Sequence, residues 1–306
     1  MLVEKGCVID KVNNGGGSAL LIATIQEHYD VARYLLLKGA NVHLADERGY
    51  SPIYNASENG DVRMVSLLID HKCNVNQASE DGNSPLLSAI AGGHSDVVRI
   101  LIKHGADIHH TAGNYGLFPL YASCGGCGCG CGCCFGYEDI VDILLENDVN
   151  VNQALSSDGS TSLLIVIEKG YFSIVKKLIN ASADMHQASH NSFPLYCVNN
   201  HEDIVDYLLE KQVYVNQATE DDGSTSLMLS CIEGHSTIVK KLLAASASVK
   251  QRKKGGITAL HIACQFNHLE IVQLLIDARC DLDIGHDYGS TPFYIACVKG
   301  FAEIAA

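Results

Sequence analysis

The stretch TALHIACQFNHLEIVQLLIDARC, residues 258–280, decides the fold. Thr258 is a helix N-cap type placed directly before the apolar run ALHIA. After a turn around His268, the residues Ile271, Val272, Leu275 and Ile276 recur at steps of one, three and four. That spacing puts an apolar stripe on one side of a helix, so the stretch reads as helix, turn, helix. One such pair has too little apolar surface to close a core alone and needs neighbours of the same kind.

The neighbours are present on both sides. The opening phrase returns as SALLIA at 18–23, SPIYNA at 51–56, SPLLSA at 84–89, FPLYAS at 118–123, TSLLIV at 161–166, FPLYCV at 193–198, TSLMLS at 225–230 and TPFYIA at 291–296. With TALHIA at 258–263 the steps are 33, 33, 34, 43, 32, 32, 33 and 33 residues. The second phrase follows each time: DVARYLL at 30–36, DVRMVSLL at 61–68, DVVRILI at 96–102, DIVDILL at 139–145, SIVKKLI at 173–179, DIVDYLL at 203–209 and STIVKKLL at 236–243. Most opening phrases start on Ser or Thr, often with Pro next, which is the N-cap followed by Pro at the first helical position. Polar turns join the pairs, as in DERG at 46–49, SEDG at 79–82, SSDG at 156–159 and EDDG at 220–223. Their Asp and Gly residues suit hairpin-like reversals. The expectation is an all-α array over residues 1–306, with repeat openings near 18, 51, 84, 118, 161, 193, 225, 258 and 291.

These residues resemble the ankyrin repeat. Thr258, Leu260, His261 and Ala263 match that family's opening phrase, as do Ser84, Pro85, Leu86 and Ala89. Gly39, Ala40 and Val42 match its closing phrase, as do Gly105, Ala106 and Ile108. The resemblance covers essentially the whole chain and implies a solenoid of stacked helical units with hairpin-like loops. It further implies that loop tips and first helices form a concave platform for a partner protein.

Two repeats depart from the register. Ala122 and Val141 are 19 positions apart where Ala56 and Val65 are 9 apart, so about ten extra residues fall in a Cys- and Gly-rich insertion at 123–135. Val198 and Val205 are only 7 apart, and the Gly that ends other first helices is missing, which predicts a shortened helix. At the ends, Met1 aligns inside a second helix and Ala306 in the first turn of another. Neither end offers the polar outer face of a terminal repeat, so the chain reads as a segment of a longer array with limited solubility of its own.

Composition narrows the work the array can do. Of 306 residues, 21 are Lys or Arg and 35 are Asp or Glu, a net charge of −14 that argues against nucleic acid as a partner. Hydrophobic residues make up 47% and charged residues 18%, which is ample for ordered structure. No apolar run approaches the roughly 18 residues of a membrane span. No basic-then-apolar leader opens the chain, and a reducing compartment, cytoplasmic or nuclear, is expected. No nucleophile elbow, phosphate loop or metalloprotease helix appears, and Gly15–Gly17 precedes a helix without following a strand. The reading is a non-catalytic interaction scaffold with no cofactor and no small-molecule substrate.

Several residues invite chemistry. The run SCGGCGCGCGCCF at 123–135 holds two Cys-x-x-Cys pairs, Cys124 with Cys127 and Cys131 with Cys134. Gly would let such thiolates wrap a soft metal, and a redox role is a further reading. Zinc sites, however, separate their pairs by a dozen or more residues, and a low-complexity loop costs the fold little. Cys231, Cys264 and Cys297 recur every 33 residues as a ladder of small core residues, too far apart for disulfides. His28, His94, His235, His261 and His268 read as structural hydrogen-bonders, and His109 with His110 has no ligand pattern around it.

The loop tips carry Asp46, Glu47, Glu80, Asp81, Asp158, Glu220, Asp221 and Asp222, either an acidic ridge or solvated turns. Lys250, Arg252, Lys253 and Lys254 make one basic spot able to receive an acidic segment. Partner contact is expected from Glu47, Arg48, Tyr50, Asp81, Asn83, Tyr115, Asp222, Asp287 and Tyr288, with the tyrosines as anchors. The ankyrin resemblance also implies oxygenase hydroxylation at the Asn closing a Val-Asn step, here Asn76, Asn152 and Asn216. Asn74, Asn150 and Tyr214 stand where that reaction prefers an acid. Two alternatives to a free-standing scaffold remain open: a targeting arm of a larger enzyme, ubiquitin-ligase adaptor or channel, and thiolate metal binding by 124–134.

The Cys loop has a direct test. Metal analysis of anaerobically purified protein should give the same content for the wild type and for a variant with Ser at every loop Cys; stoichiometric metal lost in that variant would establish a thiolate site.

Overall fold

The computed structural model describes residues 1–126, 135–189, 192–198 and 200–306. It separates into two compact units, Met1–Ser157 and Asp158–Ala306. In the first unit the helices are α1 (Ala19–Ile25), α2 (Tyr29–Leu37), α3 (Pro52–Glu58), α4 (Val62–Asp70), α5 (Pro85–Ala91), α6 (Ser95–Lys103), α7 (Pro119–Ser123) and α8 (Glu138–Leu145). In the second they are α9 (Ser162–Lys169), α10 (Phe172–Asn180), α11 (Glu202–Glu210), α12 (Ser226–Glu233), α13 (Ser236–Ala244), α14 (Ala259–Gln265), α15 (Leu269–Asp277), α16 (Pro292–Lys299) and α17 (Ala302–Ala305).

Seven first helices start at a capping hydroxyl. The side-chain oxygens of Ser18, Ser51, Ser84, Thr161, Thr225, Thr258 and Thr291 each accept the backbone N–H three residues on, at 3.1–3.5 Å. At Thr258 the cap is reciprocal, because its own N–H donates to His261 Nδ1 at 3.2 Å. His261 Nε2 then reaches Ser290 O in the next repeat at 3.2 Å, which fixes a neutral ring with its proton on Nε2. Burial, helped by the neighbouring His286 and Arg252, holds its pKa below the usual histidine value against the opposing hydrogen bond to Ser290 O.

Stacking follows the register. In the first unit α1 packs on α3, α3 on α5 and α5 on α7, while α2, α4, α6 and α8 form the second row. In the second unit α12, α14 and α16 form one row and α11, α13 and α15 the other. The apolar positions of the second phrase fill the space between rows: Val65, Val98 and Val141 with Leu68, Leu101 and Leu144, then Val205, Val239 and Leu275, all buried. Truncating any one of these leucines to Ala costs about 2–5 kcal/mol.

Both irregular repeats share a cause that spacing alone did not show. Their opening phrase begins on Phe118 or Phe193, which carries no capping hydroxyl. α7 is only five residues long, and residues 194–198 form turns with no helix at all, where a shortened helix was expected. Tyr196 and Cys197 donate to Phe193 O at 2.8 and 3.2 Å, a turn that does not propagate. Both Phe rings are buried instead, so packing replaces the lost cap. At the N-terminus Val3–Lys5 forms a single 3-10 turn followed by Gly6 at φ +90°, the position that Gly39 and Gly105 hold after α2 and α6.

Glycines at the interhelix turns are set by the repeat that follows. Gly60 has φ +71° and a Cβ built on it would lie 2.5 Å from His94 Nδ1; the corresponding distance for Gly234 is 2.7 Å, to His268. Those rings sit there because His94 Nε2 donates to Glu58 O at 2.9 Å and His268 Nε2 to Ile232 O at 3.2 Å. Gly105 has φ +89° and open space around it. Gly105→Ala should therefore cost only the left-handed backbone penalty of about 1–2 kcal/mol. Gly60→Ala should cost about 1–3 kcal/mol more because the ring must move. Urea midpoints of the two variants measure the difference.

Candidate protein-interaction surface

The loop tips are built by Asp and Asn side chains that bond their own backbone. Asp46 Oδ1 accepts the N–H groups of Arg48 and Tyr50 at 3.0 and 2.9 Å, and Asp46 N donates to Tyr50 O at 3.2 Å. Asp158 and Asp222 hold Ser160 and Ser224 in the same way. Ala112 and Leu117 close a tip by exchanging two backbone bonds at 2.8 and 2.9 Å. The acids at Asp46, Asp158 and Asp222 thus serve their turns, as solvated-turn chemistry requires.

Tips of successive repeats are tied to one another by backbone bonds. Glu47 N donates to Gly15 O at 3.3 Å, Glu80 N to Arg48 O at 2.9 Å and Gly113 N to Asp81 O at 3.1 Å in the first unit. In the second unit Lys254 N donates to Asp222 O at 2.7 Å and Asp287 N to Gly255 O at 2.9 Å. Gly49 permits the approach, since a Cβ on it would lie 2.8 Å from Glu80 N.

The side chains expected to meet a partner divide into two groups. Glu47, Arg48, Asp81, Tyr115, Asp287 and Tyr288 are exposed, as are Glu80, Glu220 and Asp221. Three are spent within the chain. Tyr50 stacks on Tyr54 with ring centres 4.7 Å apart, Asn83 is half-buried in its turn, and Asp222 accepts Lys253 Nζ and Ser224 Oγ at 2.8 Å. The basic spot is drawn into the same network: Lys253 pairs with Asp222, while Arg252 donates to Gly256 O and Gly285 O and lies 3.8 Å from Asp287. Lys250 and Lys254 stay exposed.

The asparagine slot has a structural duty. Asn76 Nδ2 donates to Gly105 O and its Oδ1 accepts Asp107 N, both at 2.9 Å. Asn216 bridges Ser246 O and Ser248 N in the same fashion. The preceding Asn74 and Asn150 turn the chain by accepting the N–H of Asn76 and Asn152 at 3.1 Å, a role Asp107 fills for His109. A glutamine follows the asparagine in the phrase VNQ, which recurs at 75–77, 151–153 and 215–217. Gln77 Nε2 donates to His43 O, Gln217 Nε2 to His186 O and Gln251 Nε2 to Asn216 O, at 2.9–3.3 Å.

Cys231 and Cys264 are buried and Cys264 has its thiol pushed up to about 11 by burial, so both are unreactive core residues. Cys297 is a correction, because it is exposed. Cys124 is buried, whereas Cys127, Cys131 and Cys134 lie outside the described residues. Among the described residues no three His, Cys, Asp or Glu side chains converge as metal ligands, and His110 Nε2 is engaged by Gly82 O. Among them, too, no helix is long and apolar enough to cross a membrane.

Three copies of the ankyrin-repeats family model match residues 20–112, 163–253 and 227–306, and the chain belongs to the ankyrin-repeat family. That family is typically non-catalytic and serves protein–protein interaction. Over 55 residues, 18% of its length, the chain is 40% identical to the glycerophosphocholine phosphodiesterase GDE1 of Eremothecium gossypii. The match spans 4% of that protein, the extent of a repeat pair rather than of an enzyme.

The Asp222–Lys253 latch should be visible in pH dependence. Burial alone would raise the Asp222 carboxyl, but hydrogen bonds from Lys253, Ser224 and Thr219 outweigh it and hold the pKa well below the usual carboxylate range. A lowered folded pKa gives stability that is present above the unfolded value of about 4 and is lost as pH falls toward the folded one. Asp222→Asn should therefore lower stability by about 0.5–1 kcal/mol at pH 7. The gap to wild type should narrow when urea midpoints are repeated near pH 3.

Proposed function

We propose that the chain is a non-catalytic scaffold that holds a partner protein on its hairpin tips and the adjoining faces of its first helices. The observation carrying this reading is the backbone ladder from tip to tip, which fixes the tips before any partner arrives. Binding then costs little ordering. Glu47, Arg48, Asp81 and Tyr115 supply charge and an aromatic anchor on the first unit, and Asp287 with Tyr288 does so on the second. Tyr288 is almost wholly exposed, an unusual position for a large ring with no partner to cover it. The reading places the protein in a reducing compartment, cytoplasmic or nuclear, where buried thiols such as Cys231 stay reduced.

A second reading, a targeting arm joined to an effector, draws on the curated relative, an enzyme in which the similar stretch is a small part of the chain. Immunoblotting of the endogenous polypeptide separates the two, since the arm would migrate well above 32.9 kDa.

Replacing Glu47, Arg48, Asp81 and Tyr115 by Ala in one variant, and Asp287 with Tyr288 in another, should remove specific partners from a quantitative pull-down. Far-UV circular dichroism should not change. Full retention of the same partners by both variants would refute the tips as the binding face.

A further inference from the structure

We propose that the hairpin tip at 286–290 is a pH-sensitive joint: it lets go of Tyr288 when the His286 ring gains a proton, while tips built on aspartate hold. The argument is one replacement in a repeated turn. Asp46, Asp158 and Asp222 each accept, through Oδ1, the backbone N–H two residues on, at 3.0, 2.9 and 2.9 Å. In the tip before α16 that place belongs to His286, whose Nδ1 accepts the Tyr288 N–H at 3.0 Å. The bond is the same and the acceptor is not. A carboxylate keeps its lone pairs at every pH well above about 4. An imidazole accepts through one nitrogen only while it is neutral, and an imidazolium is a donor at both. Imidazoles change charge over roughly pH 5–8, where a carboxylate does not.

The groups that face His286 give its imidazolium nothing to replace the lost bond. From α14 comes His261, with ring centres 5.8 Å apart. From the preceding tip comes Arg252, whose guanidinium donates to Gly285 O at 3.0 Å. Within the tip itself Tyr288 meets the His286 ring edge-on at 5.8 Å, and Asp287 lies 3.8 Å from Arg252, which already takes its charge. His261 is buried, with Nδ1 accepting the Thr258 N–H and Nε2 donating to Ser290 O, whereas His286 is half-buried and open to solvent. His286 is thus the ring that an arriving proton reaches. The change stays local, because other backbone bonds anchor the tip: His286 N to Ser290 O at 3.0 Å, Gly289 N to His286 O at 2.7 Å and Asp287 N to Gly255 O at 2.9 Å. The part released is the turn at Tyr288. A partner held by Asp287 and Tyr288 would be let go on acidification; that consequence rests on the function proposed above, and the joint itself does not.

The test needs no partner, so its failure is separate from any failure of the binding reading. The complete 306-residue chain, isotopically labelled, is followed by NMR at backbone amides and histidine rings from about pH 7.5 to about pH 5.5, within the imidazole range. The Tyr288 amide proton should move upfield, as a lost hydrogen bond requires, on a curve with the same midpoint as the His286 ring. The amides of Arg48 and Ser160, held by aspartate, should stay in place. In His286→Asp the Tyr288 amide should keep its neutral-pH position across the whole span. The proposal is overturned by a Tyr288 amide that stands still while His286 titrates, by one that moves equally in His286→Asp, by an Arg48 amide that moves with it, or by a His286 ring still neutral at the acid end.

Discussion

No helix pair in this protein can bury its own apolar face, and every other feature answers to that constraint. Leu68 and Leu101 lie fully buried where α4 packs on α6 and α6 on α8. The period of about 33 residues is thus an energetic unit: a change of register would move a buried stripe into water. The interlinked tips, the bridging asparagines and the interhelix histidines all span from one repeat to its neighbour, because that is where the fold needs its polar groups satisfied.

That division of labour explains why so many polar side chains near the tips are unavailable to a partner. Asp46, Asp158 and Asp222 close turns, Asn76 and Asn216 brace loops, and Tyr50 lies against Tyr54. What is left over is the set whose side chains have no turn to close: Glu47, Arg48, Glu80, Asp81, Tyr115, Asp287 and Tyr288. These side chains are free to vary without disturbing the stack.

The irregular repeats show the same balance from the other side. Phe118 and Phe193 give up a capping hydroxyl and gain burial. The local helix is shortened in one case and lost in the other, yet Leu120 and Leu195 still reach the core. Tertiary burial, worth roughly 1.5–3 kcal/mol for a large apolar side chain, outweighs a cap worth about 1 kcal/mol.

The amino-acid sequence alone determined the helix pairs, their order and their buried stripes, because caps and 3.6-residue periodicity act over a few residues and are written there directly. It placed the turns for the same reason, through Asp and Gly. Only the tertiary structure decided which tip residues face solvent, since Asp222 and Asp81 look alike until Lys253 is brought to one of them from 31 residues away. It also decided that 194–198 is a turn. Those outcomes depend on what a neighbouring repeat does or does not cover, and one repeat's residues carry no record of it.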